Sequence, residues 1–468
     1  MICPQNNWSE LDPLEVFKSV NHCIKDVVTK VPNDSVKALS YSVLGAGIIP
    51  INKDKKPLYN CITALDNRSL NQVEKLNEGI GKENIYKITG MPSHPFCAIN
   101  KIMWLKENMR DVFNKTWKFL NLEEFILLKW GINPVIDYSV AGSTMALDIN
   151  DNNWSNKILN FVKIDKSYLP ELINSGSIIG EVNNKMIKEL GLNTGTKIVV
   201  GGHDQACGVL GAGVYKKGIA LDSTGTVEAI VPVTNKPFLS YKMLNSMVFW
   251  EHHVAPNLYI GVAANFCAGS ALRWFRDVFG KYEMYEAVKN KKNVYDLLLP
   301  KKSWKPSEIF TMPHFSGSVS PWGDPKSKGI IIGITLATKK EDIAKSIIDG
   351  VTYEAKRNVE NFESSGIKIN ELRAIGGACN DKKWLQLKAD IIGKPITIPS
   401  VTEASSLGAA ILAGIGIGIY KSFQEAIDNC IEINEEYLPN EKNYKLYEEK
   451  YRLYTQIHPL IKEFLHLI

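Results

Sequence analysis

Apolar positions recur every three to four residues over 13–28, 100–109, 122–129, 341–361 and 441–467, the spacing of helices that bury one face. Between these stretches lie short runs rich in β-branched residues, at 36–42, 47–51, 58–63, 197–201 and 372–375, which read as strands. Alternation of the two predicts an α/β fold in which helices cover sheets. The last helical stretch is rich in Tyr and Lys and is expected to fold back over the surface.

One strand ends in chemistry. Ile198-Val199-Val200 runs into Gly201-Gly202-His203-Asp204-Gln205, and a small-residue helix is expected over 206–213. A carboxylate delivered to a strand end beside glycines, and followed by an amide, suits a general base that takes a proton from a hydroxyl. The alternative is that Asp204 caps the helix. His203, next to it, is a candidate for tuning Asp204 or touching a substrate.

Two anion-type turns follow. Within 218–230 a strand enters Thr224-Gly225-Thr226, which offers backbone N–H groups and hydroxyls to an anion. The strand at 372–375 enters Gly376-Gly377, where no side chain separates backbone from ligand and the following helix N-terminus favours phosphate.

In order and spacing these pieces resemble the FGGY-type carbohydrate kinases, which move the γ-phosphate of ATP onto a sugar or polyol hydroxyl. The resemblance runs from Trp8-Ser-Glu-Leu-Asp-Pro13 through Thr63-Ala-Leu-Asp-Asn-Arg68, Ile136-Asp-Tyr-Ser-Val-Ala141 and the Gly-Gly-His-Asp-Gln block. It continues through Phe266-Cys-Ala-Gly-Ser-Ala-Leu-Arg-Trp274, Phe315-Ser-Gly317, Gly333-Ile-Thr-Leu336, the Gly376-Gly377 block and Gly408-Ala-Ala410. It implies an α/β, two-domain actin-like ATPase (ribonuclease H-like) fold, with an N-terminal domain over 1–216, incomplete at its start, and a C-terminal nucleotide-binding domain over 217–468. ATP, with Mg²⁺, and the sugar would meet in the cleft between them.

Carried over residue by residue, the resemblance makes Asp204 the general base and the carboxylate at the metal, and Gln205 a substrate contact. Gly225 and Thr226 would hold phosphates, with Gly269, Arg273, Gly376 and Gly377 lining the nucleotide site and Asn380 or Asp381 meeting the adenine or ribose. Asp66, Arg68 and Tyr138 fall at substrate positions, although Asp66 and Arg68 equally suit a structural ion pair and Tyr138 equally suits the core.

The chain departs from the family pattern in one respect. Family members begin with a hairpin carrying an Asp-x-Gly-Thr turn that grips the β- and γ-phosphates, whereas this sequence opens at Met1-Ile-Cys-Pro-Gln-Asn-Asn-Trp8, already inside the Trp-Ser-Glu stretch. The expectation is a truncated form of a working kinase. The alternative is a degenerate relative that binds nucleotide or sugar without turnover. Over 40–46, where the family places sugar-contacting polar groups, Val43 and Leu44 are apolar, which disfavours a glycerol-type site and leaves pentuloses and other ketoses or polyols open.

The remaining composition narrows the partners. A net charge of +5, from 55 basic and 50 acidic residues, comes from scattered lysines and argues against nucleic acid. Eight cysteines without a Cys-x-x-Cys pair argue for a reducing cytoplasm, and Cys207, Cys267 and Cys379 read as small buried hydrophobes. No stretch reads as a signal peptide or membrane span. A homodimer is compatible with the sequence. His252 and His253, adjacent on a strand, face opposite sides and do not form a metal pair; His314 precedes a stretch that lines the cleft in the family.

Overall fold

A computed structural model describes residues 1–32, 34–300 and 305–468. Its second half is organised by a seven-stranded sheet in the order Phe249–His252, Tyr259–Asn265, Glu228–Thr234, Gly218–Thr224, Ile369–Ile375, Ile396–Pro399, Ile433–Tyr437. Strand Gly218–Thr224 pairs parallel with Ile369–Ile375, and Ser223 lies opposite Ile375. Both strands therefore deliver their following turns to the same carboxyl edge of the sheet, the edge at which open α/β sheets bind ligands.

Each face of this sheet is covered. The helices Lys340–Glu363 and Lys382–Ile392 bury Ala355, Val359, Leu385 and Ala389 on one side. On the other, the helix Asp204–Gly211 packs against Ala404–Gly416. Small residues allow that approach: a Cβ on Gly211 would stand 1.8 Å from the Ala404 carbonyl oxygen, and one on Gly408 2.0 Å from that of Cys207. Residues 206–214 thus join the core of the second half, although they precede the expected boundary near 216.

The first half holds smaller sheets. Strands Ile178–Glu181, Lys197–Val199 and Ala38–Leu39 form one of three strands, and Gly202–His203 pairs parallel with Ser42–Val43 in another. The strand expected over 36–42 is therefore two short ones interrupted at Ser40-Tyr41. At the break the Tyr41 carbonyl accepts from Gly202 N–H at 3.1 Å, and a Cβ on Gly201 would lie 1.7 Å from that oxygen, so only glycine fits. The strands expected at 47–51 and 58–63 form no ladder with each other: Ile48 bridges Ile62 and Leu58 N–H donates to the Pro50 carbonyl at 2.8 Å, while the ladder partner of Ile49–Ile51 is Lys118–Leu120.

The C-terminal helix, Glu441–Leu465, is a core element rather than a surface strap. Tyr447, Tyr451, Tyr454 and Ile457 bury one face at helical spacing. The phenols enter because each finds a partner: Tyr451 donates to Glu360 at 2.6 Å and Tyr454 to Glu354 at 2.5 Å. No helix among the described residues is long and apolar enough to cross a membrane.

Candidate active site

Asp204 is the first residue of its helix, and the capping position before it belongs to His203, with no side-chain cap bond. The helix-cap alternative thus has no hydrogen bond to support it. The carboxylate is 39% exposed and has one partner among the described residues, His203 Nε2, at 3.2 Å from Oδ1. His203 Nδ1 lies 2.9 Å from Glu251 Oε1, and the Glu251 side chain has no exposure at all. Glu251 comes from the edge strand Phe249–His252 of the second half, so this chain of contacts joins the two halves at Asp204. Burial pushes the His203 imidazole down, but Glu251, Asp204 and Asp137 more than offset it and lift the group to about 9.

The backbone behind the base is pinned as well. His203 N–H donates to Ser139 Oγ at 2.9 Å, and Ser139 Oγ donates to Asp137 Oδ2 at 2.5 Å. Asp137 itself caps the short helix Tyr138–Ser143. Gly45 makes room for the histidine, since a Cβ there would stand 2.8 Å from His203 Nε2. Gln205 follows Asp204, half-buried, and Leu44 is exposed nearby in sequence to Gly45.

The structure brings the expected phosphate residues together. Gly225, Thr226, Gly376 and Gly377 are exposed at the carboxyl edge of the two parallel strands. Helix Gly269–Phe279 starts against the first turn: Gly269 N–H donates to the Gly225 carbonyl at 3.0 Å, and a Cβ on Gly269 would lie 2.4 Å from that oxygen. Gly376, at φ +94°, presses on the other side, where a Cβ would stand 2.6 Å from the Thr224 carbonyl oxygen. Arg273 is exposed on the helix that begins at Gly269. Asp381 caps the next helix by accepting from Lys383 N–H at 2.9 Å and Trp384 N–H at 3.2 Å, whereas Asn380 is exposed.

The remaining residues singled out in the sequence have partners of their own. Asp66 and Arg68 form the structural ion pair that the sequence equally suited: both side chains have no exposure, Arg68 binds Asp66 through Nε and Nη2 at 2.8 Å each, and Nη2 reaches Glu10 Oε1 at 2.7 Å. With the guanidinium 3.7 Å over the Trp8 ring, the pair clamps the Trp8–Glu10 segment. Tyr138 is half-buried against the His252 ring, 5.3 Å between centroids. His252 Nε2 lies 2.6 Å from Asn152 Oδ1 and His253 Nε2 3.3 Å from the Val214 carbonyl, so the two do point to separate partners. His314 is sealed between Ser327, at 2.8 Å, and Glu354, at 3.3 Å. Glu251 had no sequence signal, because its role depends on a contact between strands 48 positions apart.

A divalent cation fits this arrangement. Among the described residues no group of three His, Cys, Asp or Glu forms a closed cage. Mg²⁺ does not need one, since it is commonly held by one or two carboxylates together with substrate phosphates. Asp204, with a single nitrogen partner, keeps oxygen lone pairs free for such an ion.

Residues 1–211 match the N-terminal domain, and residues 222–417 the C-terminal domain, of the FGGY family of carbohydrate kinases. The chain belongs to that family, and it shares its two-domain actin-like fold. It is 29% identical to a xylulose kinase of Staphylococcus epidermidis over 97% of this chain and 89% of that protein. Identity to a gluconokinase of Bacillus subtilis is 27%, over 98% and 89% of the two chains. The crystal structure of a ligand-bound xylulose kinase from Lactobacillus acidophilus superposes with a TM-score of 0.89 at 24% identity, covering 99% of this chain and 92% of that one.

Proposed function

We propose that this protein transfers the γ-phosphoryl group of ATP to a hydroxyl of a sugar or polyol, with Asp204 as general base. The single observation that carries the reading is the state of that carboxylate: it is 39% exposed, sits at a strand end, and among the described residues has only His203 as a side-chain partner. Its second oxygen is free to accept the hydroxyl proton as the alkoxide oxygen attacks the γ-phosphorus and the bond to the bridging oxygen of ADP breaks. Gln205 and Tyr138 contact the substrate on this reading. Gly225, Thr226, Gly269, Gly376 and Gly377 cradle the phosphates, and Arg273 and Asn380 line the rest of the nucleotide site. Mg²⁺, when bound at Asp204 and the phosphate oxygens, supplies charge neutralisation to the transferring group.

The substrate class is tested by coupled ADP release over xylulose, gluconate, glycerol and a wider panel of ketoses, aldoses and polyols. The reading expects ATP- and Mg²⁺-dependent turnover of at least one sugar or polyol, and least of all glycerol given Val43 and Leu44. Well-folded protein that binds ATP but turns over nothing on the panel would sink it.

A further inference from the structure

Beneath the first phosphate turn, Asp222, Thr224, Glu228 and Lys388 form a mutually bonded set, each side chain almost wholly buried, with Glu228 Oε2 left without a hydrogen-bond partner among the described residues. Lys388 Nζ donates to Asp222 Oδ2 at 2.6 Å, to Thr224 Oγ1 at 2.6 Å and to Glu228 Oε1 at 2.7 Å, which uses all three of its protons. The Thr224 hydroxyl in turn donates to Asp222 Oδ1 at 2.7 Å. Replacing buried ions by apolar side chains of similar volume is often neutral or stabilising, so stability alone is a poor reason for such a cluster.

Its placement supplies another reason. Asp222 and Thr224 end the strand that enters the Gly225 turn, and Glu228 begins the strand that leaves it. Lys388 lies on the helix Lys382–Ile392, which follows the Gly376-Gly377 turn. Thr224 also carries the carbonyl against which Gly376 packs. One ammonium therefore ties both limbs of the first turn to the helix behind the second.

We propose that Lys388 is a positioning residue for the nucleotide phosphates, holding the Gly225–Thr226 and Gly376–Gly377 turns in register through Thr224. Lys388 touches no ligand; it acts through the backbone that does. The inference rests on the reading of these turns as the nucleotide site.

The test combines calorimetric ADP binding with steady-state kinetics on Thr224→Val, Thr224→Ser and Lys388→Met. Thr224→Val keeps the shape and puts a methyl where the hydroxyl met Lys388 and Asp222. It is expected to weaken ADP binding and raise KM for ATP about ten- to a hundredfold, the order that its two lost hydrogen bonds, to Lys388 and Asp222, supply, while KM for the sugar stays put. Thr224→Ser keeps a hydroxyl and is expected to recover most of the loss, and Lys388→Met to exceed it. If Lys388→Met does not fold, the Thr224 pair decides. Wild-type ADP affinity in Thr224→Val, or equal rises in both KM values, overturns the positioning role. A wild-type protein that binds no ADP overturns the nucleotide reading and this inference with it.

Discussion

Two groups of charged side chains, one around Asp204 and one around Lys388, each join a cation to two carboxylates, and they differ in whether a carboxylate reaches solvent. Around Asp204 the cation is His203, 12% exposed, between a sealed Glu251 and an Asp204 that is 39% open. Around Lys388 the ammonium and both carboxylates are at most 1% exposed. Burial lifts the Glu228 carboxyl to about 7 against the pull of Lys388, and every proton of the ammonium is committed. A carboxylate open to solvent can exchange a proton with a substrate; one enclosed in the protein beside a buried ammonium can only hold its neighbours. The same residue types thus serve chemistry in one place and geometry in the other.

The largest expected effect comes from Asp204→Asn, which keeps the shape but cannot accept the hydroxyl proton. Turnover should fall by about 10²–10⁴-fold. Because the side chain is open, thermal unfolding should barely move, within about 0.5 kcal/mol as for ordinary surface changes. Lys388→Met should show the opposite balance: removing one partner of a buried ion cluster leaves two carboxylates uncompensated, at a cost of about 3–5 kcal/mol in denaturant unfolding. Comparable stability losses in the two variants would erase the distinction between the clusters.

A smaller effect separates the cations. Lys388 stays charged at any working pH, whereas His203 is lifted from its ordinary 6.5 to about 9. A raised folded-state value means that its contribution to stability is fully present below about 6.5 and is lost as pH rises through about 9. Wild-type Tm should therefore decline between pH 7 and 10, and Glu251→Gln, which removes the main anion holding the proton, should move that decline to lower pH. A pH profile of Tm unchanged by Glu251→Gln would show that the pair does not hold the imidazolium.

The smallest effect bears on the nucleotide edge. Asp381→Ala removes a helix cap and should cost about 1 kcal/mol of stability while leaving ADP affinity intact. Asn380→Ala should do the reverse, and calorimetry beside thermal melts reads both.

What the sequence made legible was whatever is encoded locally. The strand, glycines and carboxylate at 198–204, and the two glycine turns on adjacent strands, are contiguous signals whose physics is that of a chain reversing at a sheet edge. The helices over 122–129 and 341–361 were equally plain from their apolar spacing, and the structure has them at Leu122–Lys129 and Lys340–Glu363. Contacts set by tertiary approach were not legible. Glu251 reads as one acidic residue before two histidines, and Lys388 as a polar position on an amphipathic helix, until the sheet brings their partners within 3 Å. The break at Ser40-Tyr41 was hidden for the same reason, since it arises where the Tyr41 carbonyl meets Gly201 and Gly202. Asp66 and Arg68 show the converse: the motif suited a substrate contact or an ion pair equally, and only their packing under Trp8 reveals the buried pair.

The most direct test of the division between an open carboxylate that reacts and a closed cluster that positions is single-turnover phosphoryl transfer at saturating ATP and sugar, measured side by side in Asp204→Asn and Thr224→Val. The account predicts a chemical step slowed about 10²–10⁴-fold in Asp204→Asn and close to wild type in Thr224→Val once ATP saturates. A near-normal step in Asp204→Asn would contradict it.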